Sequence, residues 1–223
     1  MPARPIQAQF GDKVVQAFAD IADPEQFGER MIEAFTDFAR ADIGTPDELE
    51  QHEFAHVSDL RLRRALAQTY YGTRWLYKLG LALLTRNEER AAHVRAQILD
   101  YGSVCEGLLS HCVLHAVEHG HTVGQSYQFS DPDHQHRPIS WANPLHQVSL
   151  RKFWWLVRIS QEFGISTNQL SAELHWLRTE RNSVHLRRRA SQTQNAALRD
   201  SMRAFEIANR TIARTRHWKQ QHP

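Results

Sequence analysis

The stretch 166–186, STNQLSAELHWLRTERNSVHL, decides how the rest of the chain is read. Ser166-Thr167-Asn168-Gln169 has the S/T-x-x-E/Q arrangement that opens a helix, a hydroxyl accepting an early backbone N–H while the Gln reaches back. Leu170, Leu174 and Leu177 then recur at helical spacing, which predicts a helix over about 167–186 with one apolar face. At about 100° per residue, Arg181 falls within roughly 20° of Leu170, His185 within roughly 60°, and Arg178 about 80° round on the same side. The apolar stripe runs straight into Arg178, Arg181 and His185. Charged groups where the pattern calls for core side chains need a partner or a purpose. One answer is an acid on a neighbouring helix, Glu106 being a candidate for Arg181, with His185 capping the helix end.

Outward from this stretch, helix signals dominate. Asp23-Pro24-Glu25-Gln26 and Thr45-Pro46-Asp47-Glu48 each set a capping residue before a proline at the first helical position, and Ser191-Gln192-Thr193-Gln194 repeats the capping arrangement. Further helices are expected at about 12–21, 24–40, 46–56, 59–84, 87–119, 149–163 and 193–218. No run alternates apolar and polar residues long enough to argue a sheet. The expected fold is all-α: an antiparallel helical bundle over 58–223, preceded by an N-terminal helical appendage over 1–57. Between His121 and Gln147, Gly124, Pro132, Pro138 and Pro144 predict a long irregular loop at about 120–148.

The net charge of +2 over 223 residues hides a segregation. Residues 1–136 carry 12 Lys or Arg against 20 Asp or Glu, whereas 137–223 carry 15 against 5. A basic half points to a polyanion such as a nucleic acid, while an acidic half can bind that basic half or a second subunit. The two halves can also simply neutralise each other in the fold. No apolar run resembles a signal peptide or approaches the roughly 20 residues of a membrane span. Cys105 and Cys112 are about 10 Å apart along one expected helix, too far for a mutual disulfide. A reduced, cytoplasmic protein without a membrane partner is expected.

The segment Leu177-Arg178-Thr179-Glu180-Arg181-Asn182-Ser183-Val184-His185-Leu186 resembles the signature of the HEPN superfamily, an Arg usually followed by Asn with a His a few residues on. Ile98 to Leu109 is similar to the core helix that precedes it in such domains, and the resemblance covers about 59–218. The family spacing puts four to six residues between Arg and His; here three separate Arg181 from His185 and six separate Arg178 from it. Either Arg178 is the pattern's arginine or the chain carries a shorter Arg-Asn-x-x-His variant. The resemblance implies a HEPN-like bundle and metal-independent endoribonuclease activity, with no cofactor, at a site shared across a homodimer. His185 would then be the general acid or base, and Arg181 with Arg178 would stabilise charge on the phosphate, while Asn182 orients a neighbour. Arg187, Arg188 and Arg189 would hold the RNA backbone, or form a solvated basic helix end. A toxin or phage-defence effector governed by an antitoxin or other regulatory protein fits that class.

Two further groups carry chemistry. His111, His115 and His119, one turn apart, could share a zinc ion, although there is no HExxH and no CxxC. Phe153-Trp154-Trp155, among Arg151, Lys152 and Arg158, could stack bases, or be buried against the bundle or a dimer partner. Cys105 and Cys112 share a face with Val94, Ile98 and Leu108 and are expected in the core. The readings opposed to a ribonuclease are a non-catalytic HEPN-like module that binds nucleic acid or a protein partner, and a zinc-binding helical protein.

Overall fold

A computed structural model describes residues 24–120, 148, 152–183 and 198–223. Among them all regular structure is helical: α1 (Pro24–Arg40), α2 (Pro46–His52), α3 (Leu60–Ala82), α4 (Asn87–Glu118), α5 (Phe153–Glu162), α6 (Asn168–Ser183) and α7 (Leu198–Gln221). No described helix is long and apolar enough to cross a membrane. The helix expected at 12–21, most of the long loop and the capping arrangement at 191–194 lie outside the described residues.

Local chemistry explains most of the boundaries. α2 opens on a capping box, in which Glu48 N–H donates to Thr45 Oγ1 at 3.2 Å and Thr45 N–H donates to the Glu48 carboxylate at 2.7 Å. α2 stops at His52 rather than at 56, because the chain turns there and drops Phe54 and Val57 into the core, both fully buried. α6 is capped by Thr167, whose hydroxyl accepts Leu170 N–H at 3.2 Å. Ser166, the first residue of the expected capping arrangement, instead spends its hydroxyl on Ser160 and Ser171 in a buried chain of hydroxyls.

Helix directions follow from which residues meet. Gly80 faces His93, Tyr70 meets Tyr101, and Leu66 touches Gly107, so α3 and α4 run antiparallel across the short 83–86 connection. Gln97 meets Ser201, Tyr101 meets Phe205, and Cys105 meets Thr211, so α7 runs parallel to α4. Glu173 pairs with Arg210 and Trp176 with Arg203, so α6 is antiparallel to α7. At 32 residues α4 is about 48 Å long and forms the axis on which α3, α5, α6 and α7 pack.

One core unites these helices, with Tyr101, Leu108, Leu156, Leu174, Leu177 and Ile207 among its buried members. Leu49, Phe54 and Val57 belong to it too, although their sequence positions fall in the expected N-terminal appendage. Arg216 of α7 ties that segment down, donating to the carbonyls of His52 and Glu53 and to the Glu53 carboxylate. The α5–α6 turn is held in the same way. Arg214 donates to the carbonyls of Gly164 and Ile165, and Trp218 Nε1–H to that of Phe163. Gly164 sits at φ +67°, where a side chain would be strained.

Candidate functional site: a basic cleft between α4, α5 and α6

The apolar face of α6 is laid out as its spacing requires: Leu170, Leu174 and Leu177 are buried, and Arg178 and Arg181 emerge half-buried at the end of that stripe. They open onto a cleft of about 510 Å³. α4 contributes Leu99 and Glu106 to its wall, and the start of α5 contributes Phe153, the half-buried Trp154 and, one residue earlier, Lys152. α6 closes it with Arg178, Arg181 and the exposed Asn182.

Arg181 is held on three sides. Its Nη1 donates to the Glu106 carboxylate in an ion pair, and its guanidinium lies 6.0 Å from the centroid of the Phe153 ring. Its stem runs over Gly102, where a Cβ would come within 3.1 Å of Arg181 Cδ, so α4 makes room for the arginine by having no side chain there. The two charged side chains remain 28% and 29% exposed, so the pair is worth about 1 kcal/mol or less. Arg178 differs. Its Nε is buried and has no hydrogen-bond partner among the described residues. One turn back, burial and then the positive charges of Arg178 and Arg158 hold His175 below the usual histidine range, so it is neutral at pH 7.

Lys152, Arg178 and Arg181 thus face one cavity, with Glu106 as the single carboxylate among the described residues of its lining. An aromatic ring and an amide stand beside them. Such an arrangement can offer fork-shaped donors to an anion's oxygens, a π-face for stacking, and an amide able to bond a polar edge. Arg178 and Arg181 lie on one side of α6, as their spacing predicts, and Asn182 lines the cleft with them. His185, Arg187, Arg188 and Arg189 lie outside the described residues. Leu99 carries no sequence signal of its own, since it joins the site only through helix packing.

The histidines of α4 do something else. His111 Nε2 accepts the Ser58 backbone N–H at 3.3 Å, and burial pushes its pKa down to about 4. His115 Nε2 lies 2.9 Å from the His222 carbonyl and from Lys219 Nζ, while its ring lies 3.9 Å from that of His119. His119 Nδ1 turns back to the His115 carbonyl at 2.8 Å. The three imidazoles therefore serve three different partners, and among the described residues no group of three His, Cys, Asp or Glu is placed to hold a metal ion. His56 joins this end of the bundle, its Nε2 3.0 Å from Thr215 Oγ1 and its pKa pushed down to about 4, first by burial and then by Arg216. Cys105 and Cys112 are buried, with burial raising both thiols to about 12, too high for a nucleophile at neutral pH.

The chain matches no family model, no curated protein and no solved structure.

Proposed function

We propose that this chain is a metal-independent endoribonuclease of the HEPN type, a HEPN-like helical bundle acting through a composite site in a homodimer. The observation that carries the reading is the gathering of Arg178, Arg181 and Asn182 in one cleft with Lys152 and Trp154. In this reading His185 moves a proton on the ribose 2′-hydroxyl or the leaving oxygen, and the arginines neutralise charge developing on the phosphate. The Nε of Arg178, without a hydrogen-bond partner among the described residues, favours it as the family pattern's arginine, with six residues before His185, while Arg181 assists once it leaves Glu106. Arg187, Arg188 and Arg189 would hold the RNA backbone. A toxin or phage-defence effector restrained by an antitoxin or regulatory protein is the cellular role this chemistry suits.

The test is cleavage of single-stranded RNA by the full chain in the presence of chelator. His185→Ala and Arg178→Ala should each lower the rate at least a hundredfold while leaving helicity and oligomeric state unchanged. Arg181→Ala should act less strongly than Arg178→Ala. A wild-type chain that binds RNA in a salt-sensitive way but never cleaves it would overturn the enzymatic reading. That outcome would establish the second one, a non-catalytic module for nucleic acid or protein, which the engagement of Arg181 by Glu106 favours.

A further inference from the structure

On the other side of α4 lies a second cavity, of about 230 Å³, bounded by α3, α4, α7 and the turn between α1 and α2. Ligand pockets are usually about 300 to 1,000 Å³, so this one suits a small molecule of one or two rings. Its walls are apolar and aromatic, from Ile43, Tyr77, Tyr101 and Phe205, with the half-exposed Met202 at its edge. Among the described residues two cations line it, Arg74 and Lys78, and no carboxylate does.

Both cations are fixed before any ligand arrives. Lys78 Nζ donates to the Ala41 carbonyl and sits 5.3 Å from the centroid of the Phe38 ring. Arg74 Nη2–H donates to the Asp42 carbonyl at 3.0 Å, and its guanidinium lies 5.5 Å from the Phe205 centroid and 6.0 Å from that of Tyr70. Asp42, at φ +62°, offers its carboxylate to Lys78 at 3.7 Å from a position 87% exposed, in solvent rather than in the cavity. A planar group entering among Tyr101, Phe205 and Ile43 would bring an attached anion to Arg74, whose stacked guanidinium has donors beyond the one given to Asp42.

We infer that this cavity is a binding site for a small aromatic carboxylate, its ring among Tyr101, Phe205 and Ile43 and its carboxylate on Arg74 with Lys78 close by. The inference stands independently of the ribonuclease reading, since it shares no lining residue with the cleft.

Calorimetric titration of the full chain with indole-3-acetate, its neutral analogue 3-methylindole and plain acetate tests it. Indole-3-acetate should bind saturably at one site per chain, with both analogues at least tenfold weaker. Arg74→Gln should weaken indole-3-acetate at least tenfold. Met202→Trp, at an exposed position where the fold tolerates bulk, should block it and carries the test if the Arg74 variant loses its fold. No saturable binding at millimolar indole-3-acetate, equal binding of the neutral analogue, or binding untouched by Met202→Trp would each overturn the assignment.

Discussion

Two clusters of basic side chains lie along α4, and burial treats them in opposite ways. At the α5–α6 cleft, Arg178 and Arg181 are half-buried beside Lys152, and arginine cannot shed its proton at any ordinary pH. Their charge must be met by a partner, and Glu106 meets part of it. At the end of the bundle, where α4 meets α7 and the chain after α2, His56, His111 and His115 shed theirs instead, and burial keeps each of them below the ordinary histidine range. The difference teaches which cluster can serve a polyanion. A cleft of permanent cations with Glu106 as its one described carboxylate keeps attraction to spare, whereas a cluster of neutral imidazoles forms hydrogen bonds within the fold and offers an anion little.

The largest expected effect lies at the histidine end. His56 and His111 have folded pKa values of about 4 against an ordinary 6.5, so protons bind the unfolded chain more readily. The stability this represents is fully present above pH 6.5 and drains away as pH falls from there towards 4. Allowing for the partial exposure of both rings, the loss should be on the order of 3 kcal/mol for the two together. Urea titrations across that window measure it, and a His56→Gln, His111→Gln double variant should lose most of the slope. If the double variant keeps the wild-type slope, the two histidines are not buried neutral, and the contrast with the cleft collapses.

Next in size is release of Glu106, the cleft's one carboxylate among the described residues. Glu106→Gln keeps the shape but removes the charge that occupies Arg181. Affinity for a short single-stranded RNA, read by fluorescence anisotropy at low salt, should rise roughly three- to tenfold, or about 0.7–1.4 kcal/mol. Stability should fall by about 1 kcal/mol or less, as expected for a pair this exposed. Weaker binding would mean that Glu106 helps hold the ligand rather than competing with it.

These contrasts were only partly legible in the sequence. Periodicity and capping located the helices, down to the Pro24–Arg40 bounds of α1 and the Thr45 cap, because those signals act within a turn or two of the chain. The same reasoning put Arg178, Arg181 and His185 on one side of this helix, of which Arg178 and Arg181 are described, and named Glu106 as a candidate partner for Arg181. What it could not supply was direction across helices. The spacing of His111, His115 and His119 suggested a shared metal, but the choice of Ser58, Lys219 and His222 as their partners depends on where α7 and the chain before α3 come to lie. Thr167 rather than Ser166 caps α6 for a similar reason: Ser160, six residues earlier, claims the Ser166 hydroxyl only once the α5–α6 turn has closed.

The smallest effect is the sharpest test of how Arg181 is held. Gly102→Ala on α4 would gain up to about 1 kcal/mol of helix propensity. Its new Cβ would stand 3.1 Å from Arg181 Cδ, closer than side chains normally approach, so something must give by a few tenths of an ångström. The atom met belongs to a long flexible side chain with solvent beside it, not to backbone, and it can swing away from Glu106 into the cleft. Stability, followed by thermal unfolding, should therefore stay within about 1 kcal/mol of wild type, gain and crowding offsetting each other. RNA affinity should move upward in the same sense as in Glu106→Gln, because Arg181 has been freed by a steric route rather than an electrostatic one. A loss of stability well beyond that range, with RNA affinity unchanged, would mean that Arg181 is a fixed strut between α4 and α6. It would then belong with the histidines as a group spent on the fold, leaving Arg178 as the cleft's working arginine.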